Sequence, residues 1–297
     1  MNSNSLSKTP FEVRPRHMNF PYEEINDRDF FDKNCLKSAY IAAMSATFPA
    51  GEGEFIKSVR NFRDATDDAT LKEQIKGFIG QEAHHSLQHK RFNEALRDKG
   101  YDVPRLEGVF EKDLAWSVKS RSNEERLGFT VCVEHMTAVM AYDLLTNKSR
   151  IKGMDPAIAS LMLWHSVEEL EHKSVAFDLY MEVIGNRKLL HRAMRFAIVI
   201  LSYRFFKYTV KLLWWAKRRP SWRELKGFWR FTYGKGGLFQ AMAPHMRDFF
   251  RDDFHPWDQD DTALIEQWKE TSYQPQFDAQ NGSSDPGHVS PSPEAAA

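Results

Sequence analysis

GQEAHHSLQH, residues 80–89, and WHSVEELEHKSVAFD, residues 164–178, each carry a Glu-x-x-His triplet, Glu82/His85 in the first and Glu169/His172 in the second. The residues around them decide the fold. In the first, Ile75, Phe78, Glu82, His85, His89, Phe92 and Leu96 follow one another in steps of three and four, the spacing of one helix face. In the second, Ile158, Leu161, His165, Glu169, His172, Ala176 and Leu179 do the same. Each triplet therefore sits in the middle of an apolar stripe, on the side of a helix that faces a core. His84, about a hundred degrees round the helix from that stripe, is excluded as a partner.

Two Glu-x-x-His helices, with a lone glutamate from each of two further helices, make the ligand inventory of a two-metal site in a four-helix bundle. Glu134 supplies one, since Leu127, Val131, Ala138, Ala141 and Leu145 form a face that is apolar but for this acid. Glu52 supplies the other. It leads into the face of Phe55, Ile56, Val59 and Phe62, whereas Glu54 aligns with Ser58 and Asn61. Depth agrees with this choice: Glu52 lies 16 residues before Asp68 and Glu82 lies 14 after it, about 24 and 21 Å from the turn at 1.5 Å per residue. Glu134 lies 13 residues before Asn147, and Glu169 lies 14 after Asp155. Both hairpins deliver their ligands level.

Burying four carboxylates without cations is very costly, and the chain offers no four arginines on matching faces. Two divalent ions would balance them; a metal-free, hydrogen-bonded polar layer is the alternative. His165, one turn before Glu169, is placed to ligate, against the alternative of a core histidine. His89 is a group supporting a ligand or a core residue. Glu168, four residues before His172, could replace Glu169 on spacing alone, but the matched register of the two triplets favours Glu169. Three imidazoles and four carboxylates suit iron, manganese or zinc, and disfavour calcium and magnesium.

No stretch alternates apolar and polar residues as a half-buried strand does, so the expected class is all-α. Helical patterning starts near Asp32, breaks at Phe48-Pro49-Ala50-Gly51 and resumes. A second helix runs from Leu71 down to Gly100, a third fits Asn123 to Thr146 and a fourth Asp155 to about Ile184. The expected organisation is an extended arm over 1–30, a metal-binding bundle over 31–185, a cationic and aromatic helical extension packed on it over 186–270, and a disordered tail over 271–297. Overall, 41 basic and 41 acidic residues cancel, so composition names no partner. Residues 187–230 nonetheless hold thirteen Lys or Arg, one acid and four of the eight tryptophans. Their longest apolar run, Phe196 to Tyr203, is too short to span a bilayer. Two readings stand: a helix lying on an anionic membrane or capturing a lipid-like substrate, with Arg204, Lys207 and Lys211 on one side, or a helix packed across the bundle with its charges in water. No nucleic-acid module is recognisable, and a homodimer is compatible with the sequence. Cys35 and Cys132 read as buried apolar residues. With no secretory signal at the N-terminus, the expected setting is the cytoplasm, at the inner face of the membrane if the protein binds lipid.

With FPAGEGEF (48–55), GQEAHHSLQH, VEHMTA (133–138) and WHSVEELEHKSVAFD in order, the chain resembles, over roughly residues 30 to 270, the bacterial family of predicted metal-dependent hydrolases, a branch of the ferritin-like superfamily. Its ligand set is also similar to that of the di-iron aminobenzoate N-oxygenases, which carry a His-x-x-x-Glu-x-x-His run, here His165, Glu169 and His172. The resemblance implies a ferritin-like four-helix bundle with additional C-terminal helices and a di-iron or similar centre. Its holders would be Glu52, Glu82, His85, Glu134, His165, Glu169 and His172. The leading expectation is an iron enzyme that reduces dioxygen and oxidises a small organic or lipid-like substrate, with Glu82 and Glu169 as bridges. Two-metal hydrolysis is the alternative, and metal storage or a non-catalytic scaffold ranks last.

Overall fold

Asn34, Asp68, Ser122, Asp155 and Ser221 each turn a side-chain oxygen onto backbone N–H groups two or three residues further on, and so begin a helix. The computed structural model describes residues 7–273, among which there is no strand, only an isolated bridge between Phe31 and Met154. The helices are α1 (Cys35–Ser45), α2 (Phe48–Arg60), α3 (Ala69–Asp98), α4 (Val103–Lys119), α5 (Asn123–Thr146), α6 (Pro156–His172), α7 (Val175–Val183), α8 (Arg187–Trp215), α9 (Trp222–Thr232), α10 (Leu238–Asp248) and α11 (Thr262–Trp268). The fold is an all-α helical bundle. α2 packs on α3 and α5 on α6, while α2 meets α5 and α3 meets α6, which closes a four-sided core. α8 lies on α1 and α5, α9 on α1, α10 on α5 and α11 on α6.

The core of the four-sided bundle is layered. Leu71, Ile75 and Phe78 of α3, Leu127 and Val131 of α5, and Ala176 and Leu179 of α7 belong to one apolar cluster. Phe92 and Leu96 of α3, Ala138 and Ala141 of α5, and Ile158 and Leu161 of α6 belong to another. Between them along each helix fall the acids and histidines of the stripes, sealed by apolar packing above and below.

Three boundaries differ from the sequence reading. The first break falls at Ala46–Thr47, and Phe48 to Gly51 form the opening turn of α2, where Pro49 has no intrahelical N–H to lose. The long fourth helix stops at His172 and restarts at Val175. The interruption falls where Lys173 turns to Asp261 Oδ2 at 2.6 Å and Ser174 bonds Asp178 and Thr9. α4, capped by Asp102 with Pro104 in its first turn, occupies a stretch for which no helix was expected.

The N-terminal arm is extended but not loose: Val13, Met18, Phe20, Ile25 and Phe30 are buried. It lies directly on α3 because Gly77 and Gly80 leave room for it. A Cβ at Gly77 would stand 1.9 Å from the Val13 carbonyl oxygen, and one at Gly80 would stand 3.0 Å from Pro15 Cγ. Mid-helix glycine costs about 1 kcal/mol against alanine, and here it admits a neighbouring backbone. Within the expected disordered tail, residues 274–297 lie outside the described residues. Cys35 and Cys132 are buried and free.

α8 reverses the expected orientation. Lys207 pairs with Asp113 Oδ2 on α4 at 2.8 Å, Arg204 is buried and bonds the Asp113 carbonyl, and Lys211 lies over the Trp215 ring. These cations face the protein, and apolar side chains face solvent. No described helix is long and apolar enough to cross a membrane.

Candidate metal centre

One helix from each side of the core contributes to a single polar layer: Glu52 from α2, Glu82, His85 and His89 from α3, Glu134 from α5, and His165, Glu168, Glu169 and His172 from α6. None of the nine is more than 6 % exposed. Their donor atoms form overlapping triads, each within 4.8 Å: Glu52/Glu82/His85, Glu52/His89/His165, His85/His165/Glu169 and Glu82/Glu169/His172. Glu134 joins through Oε2, 3.2 Å from His172 Nε2, which lies the same distance from Glu82 Oε1. The seven expected ligands are thus brought together. Glu54 is not among them, being paired with Arg126 at 2.6 Å, and His84 packs edge-on against His17.

Each imidazole of the proposed set is held from outside through one nitrogen and turns the other inward. His85 Nε2 lies 3.0 Å from Glu168 Oε2, so Nε2–H donates to it and Nδ1 faces Glu82 and Glu169. His172 Nδ1–H donates to Gln81 Oε1 at 2.9 Å, leaving Nε2 inward. For His165 the hold is a relay. Asn93 Nδ2 donates to the Ser45 carbonyl and to Glu107, which fixes its Oδ1 to accept from the Ser45 hydroxyl at 2.6 Å. Ser45 Oγ then accepts from His89 Nδ1–H at 2.8 Å, and His89 Nε2 accepts from His165 Nδ1–H at 2.8 Å. His165 Nε2 is thereby turned inward, 2.8 Å from Glu169 Oε1 and 3.8 Å from Glu52 Oε1. Both His89 nitrogens are committed, so His89 acts by holding His165.

The acids divide into two groups. Glu168 and Glu171 are matched by protein cations: Arg16 from the arm bonds Glu171 at 2.6 and 2.7 Å and Glu168 at 3.2 Å, and Lys269 pairs with Glu171 at 2.7 Å. Trp164 Nε1 also donates to Glu168. Glu168 is therefore a holder of His85, with Arg16 and Trp164 on its other oxygen. The inner four have no such cations. Glu52 Oε1, both oxygens of Glu82 and of Glu134, His85 Nδ1 and His172 Nε2 are buried without a hydrogen-bond partner, an arrangement that native interiors avoid. Seven orphaned polar atoms in one layer, together with the charge of four carboxylates, make a cluster able to hold metal.

The titration behaviour tells the same story. Burial, and then the neighbouring acids, push Glu82 well above the ordinary carboxylate value; burial pushes Glu52 up as well, and Glu134 to about 7. Burial pushes His172 down, but Glu169 and Glu134 overcome it and raise the imidazole to about 10. Burial raises Glu169, yet His172 and His165 outweigh this and hold it well below the ordinary value. Burial lowers His85 and His89 and raises Glu168 to about 8 against the pull of Arg16. The layer is short of positive charge.

Arg16, Gln81, Glu171, Lys269 and the Ser45 relay were not found from sequence. Three acids in one turn of α6, Glu168, Glu169 and Glu171, signal that a cation must arrive from elsewhere. Nothing in the aperiodic arm marks Arg16 as that cation.

No curated protein and no solved structure matches the chain. A family model described as predicted metal-dependent hydrolase matches residues 14–260, a span that takes in Arg16 and every residue of the inner layer. A buried His and Glu cluster able to hold metal agrees with that description. The chain is a member of the predicted metal-dependent hydrolase family.

Proposed function

We propose that Glu52, Glu82, His85, Glu134, His165, Glu169 and His172 hold two metal ions, iron by preference, in a ferritin-like bundle, and that the protein is an oxidase or oxygenase of an apolar substrate. A pair of iron ions so held supplies two-electron reduction of dioxygen and oxidation of an organic substrate. The observation that carries this reading is a cavity of about 260 Å³ beside the layer. Its walls are almost wholly apolar, with Phe48, Met136 and Met140 at the inner end beside Thr137. Thr137 Oγ1 donates to Glu169 Oε2 and fixes that carboxylate. The Phe48 ring meets His89 and His165 edge-on, with centroids 4.5 and 5.2 Å away, and keeps water from the imidazoles. An apolar molecule in the cavity lies one side chain from the layer, and the apolar walls suit such a substrate better than a charged ester.

Hydrolysis is the second reading, favoured by the family description. Two bound ions would then supply an activated water and charge stabilisation. Mixing iron-loaded, reduced protein with oxygen separates the two: oxygen uptake with an optical change is expected. Inertness to oxygen, together with zinc-supported cleavage of an acyl ester, would replace the first reading with the second.

A further inference from the structure

The solvent face of α8 is apolar along its whole second half and beyond. Phe196, Val199, Tyr203, Phe206, Val210 and Trp214 recur at steps of three and four, and all are exposed, Phe206 by 70 % and Trp214 by 73 %. α9 repeats the pattern with Trp222, 87 % exposed, Leu225 and Trp229, followed by Tyr233. Soluble surfaces rarely leave such a row of large apolar side chains uncovered. Around it the charge has one sign. From 187 to 235 nine Lys or Arg are exposed, and the single acid, Glu224, is engaged with Ser221 and with the Cys35 backbone N–H.

We infer that the α8–α9 face docks on an anionic lipid bilayer, with the mouth of the apolar cavity against the lipid. Aromatic residues beside unpaired cations suit the interface, where rings enter the headgroup boundary and Lys and Arg meet anionic headgroups. A second copy of this face is the poorer occupant, since a two-fold contact would set these cations against each other with no acids to pair them. Phe206 and Val210 of α8 and Tyr233 line the cavity and are also exposed, so its mouth opens on this face. Docking stands on the surface alone. That a lipid-derived acyl chain enters by this mouth rests on the function proposed above.

The test is flotation of the full chain with vesicles of equimolar phosphatidylglycerol and phosphatidylcholine, or of phosphatidylcholine alone, run on metal-free and metal-loaded protein alike. Recovery with the anionic vesicles only, reversed by salt, is expected in both forms, whichever reaction the centre performs. Trp222→Ser with Trp229→Ser, Phe206→Ser, and the charge reversal Arg223→Glu with Lys226→Glu should each cut the bound fraction by about tenfold or more, with metal content and melting unchanged. Absence of co-flotation, or binding unaltered in all three variants, would overturn the proposal. Light scattering that shows a dimer abolished by the same variants would give the face to a second copy instead.

Discussion

His89 Nε2 lies 2.8 Å from His165 Nδ1, and the proton between them belongs to His165 because Ser45, already donating to Asn93, takes the proton of His89 Nδ1. Which nitrogen His165 turns to the layer is thus decided by an asparagine and a serine that lie outside it. Ser45→Ala or His89→Phe should lower metal affinity by about 10–100-fold, read by chelator competition. Affinity equal to the native protein's would show that His165 needs no such hold.

Metal analysis of iron-replete protein should find about two ions per chain. Glu82→Ala or His172→Ala should lose them, and Glu54→Ala should not, since Glu54 serves Arg126. Less than one ion per native chain would remove the dinuclear centre.

The orphaned acids give stability and loading opposite signs. In metal-free protein, Glu134→Gln relieves a buried, unpartnered carboxylate and should stabilise by about 1–3 kcal/mol in mildly alkaline buffer. In the presence of metal the order of melting temperatures should reverse, because native protein gains by binding what the variant cannot hold. Parallel melting curves in both conditions would contradict the account.

Much of this cluster was legible because side chains that meet in one layer of a helical bundle must share a helix face. Glu82 and His85, or Glu169 and His172, must share a face with Phe78 and Ala176, and the level of Glu52 follows from counting to a turn. What supports the ligands obeys no period. Gln81 and Ser45 act from flanks of their helices, and Arg16 comes from a segment whose path is set by Gly77 and Gly80 in another element. The orientation of α8 was misread for a related reason. Its cations were assigned to solvent by type, while Asp113, in a helix the pattern did not reveal, draws Lys207 and Arg204 inward.

Arg16→Met removes the partner of two buried acids and should cost about 3–5 kcal/mol in urea melts. Combining it with Glu171→Gln should recover part of that loss, because the two changes act on one ion pair. Strict additivity would mean that the pair is not the source.

Glu224 offers a pH test. Partial burial raises its carboxyl, but hydrogen bonds from Cys35 and Ser221 outweigh this and hold it at about 2, against an ordinary 4.5. Its folded value is depressed, so its support of α9 on α1 is full above 4.5 and fades as pH falls toward 2. The melting difference between native protein and Glu224→Gln should shrink over that window. A constant difference would take the carboxylate out of the account.

Arg16 and Glu168 are 152 residues apart, so seating the arm closes a long loop of the chain. With the arm seated, Gln81 is bonded both to the Arg14 carbonyl and to His172, and none of the seven expected ligands is more than 6 % exposed. On the metal-holding role proposed above, the arm would act as a latch on the residence time of bound ions. Ions should enter during folding or when the arm lifts, and leave slowly otherwise. Gly77→Ala, which disturbs the seat of the arm and no ligand, should speed release of metal to a chelator while leaving the number of ions held unchanged.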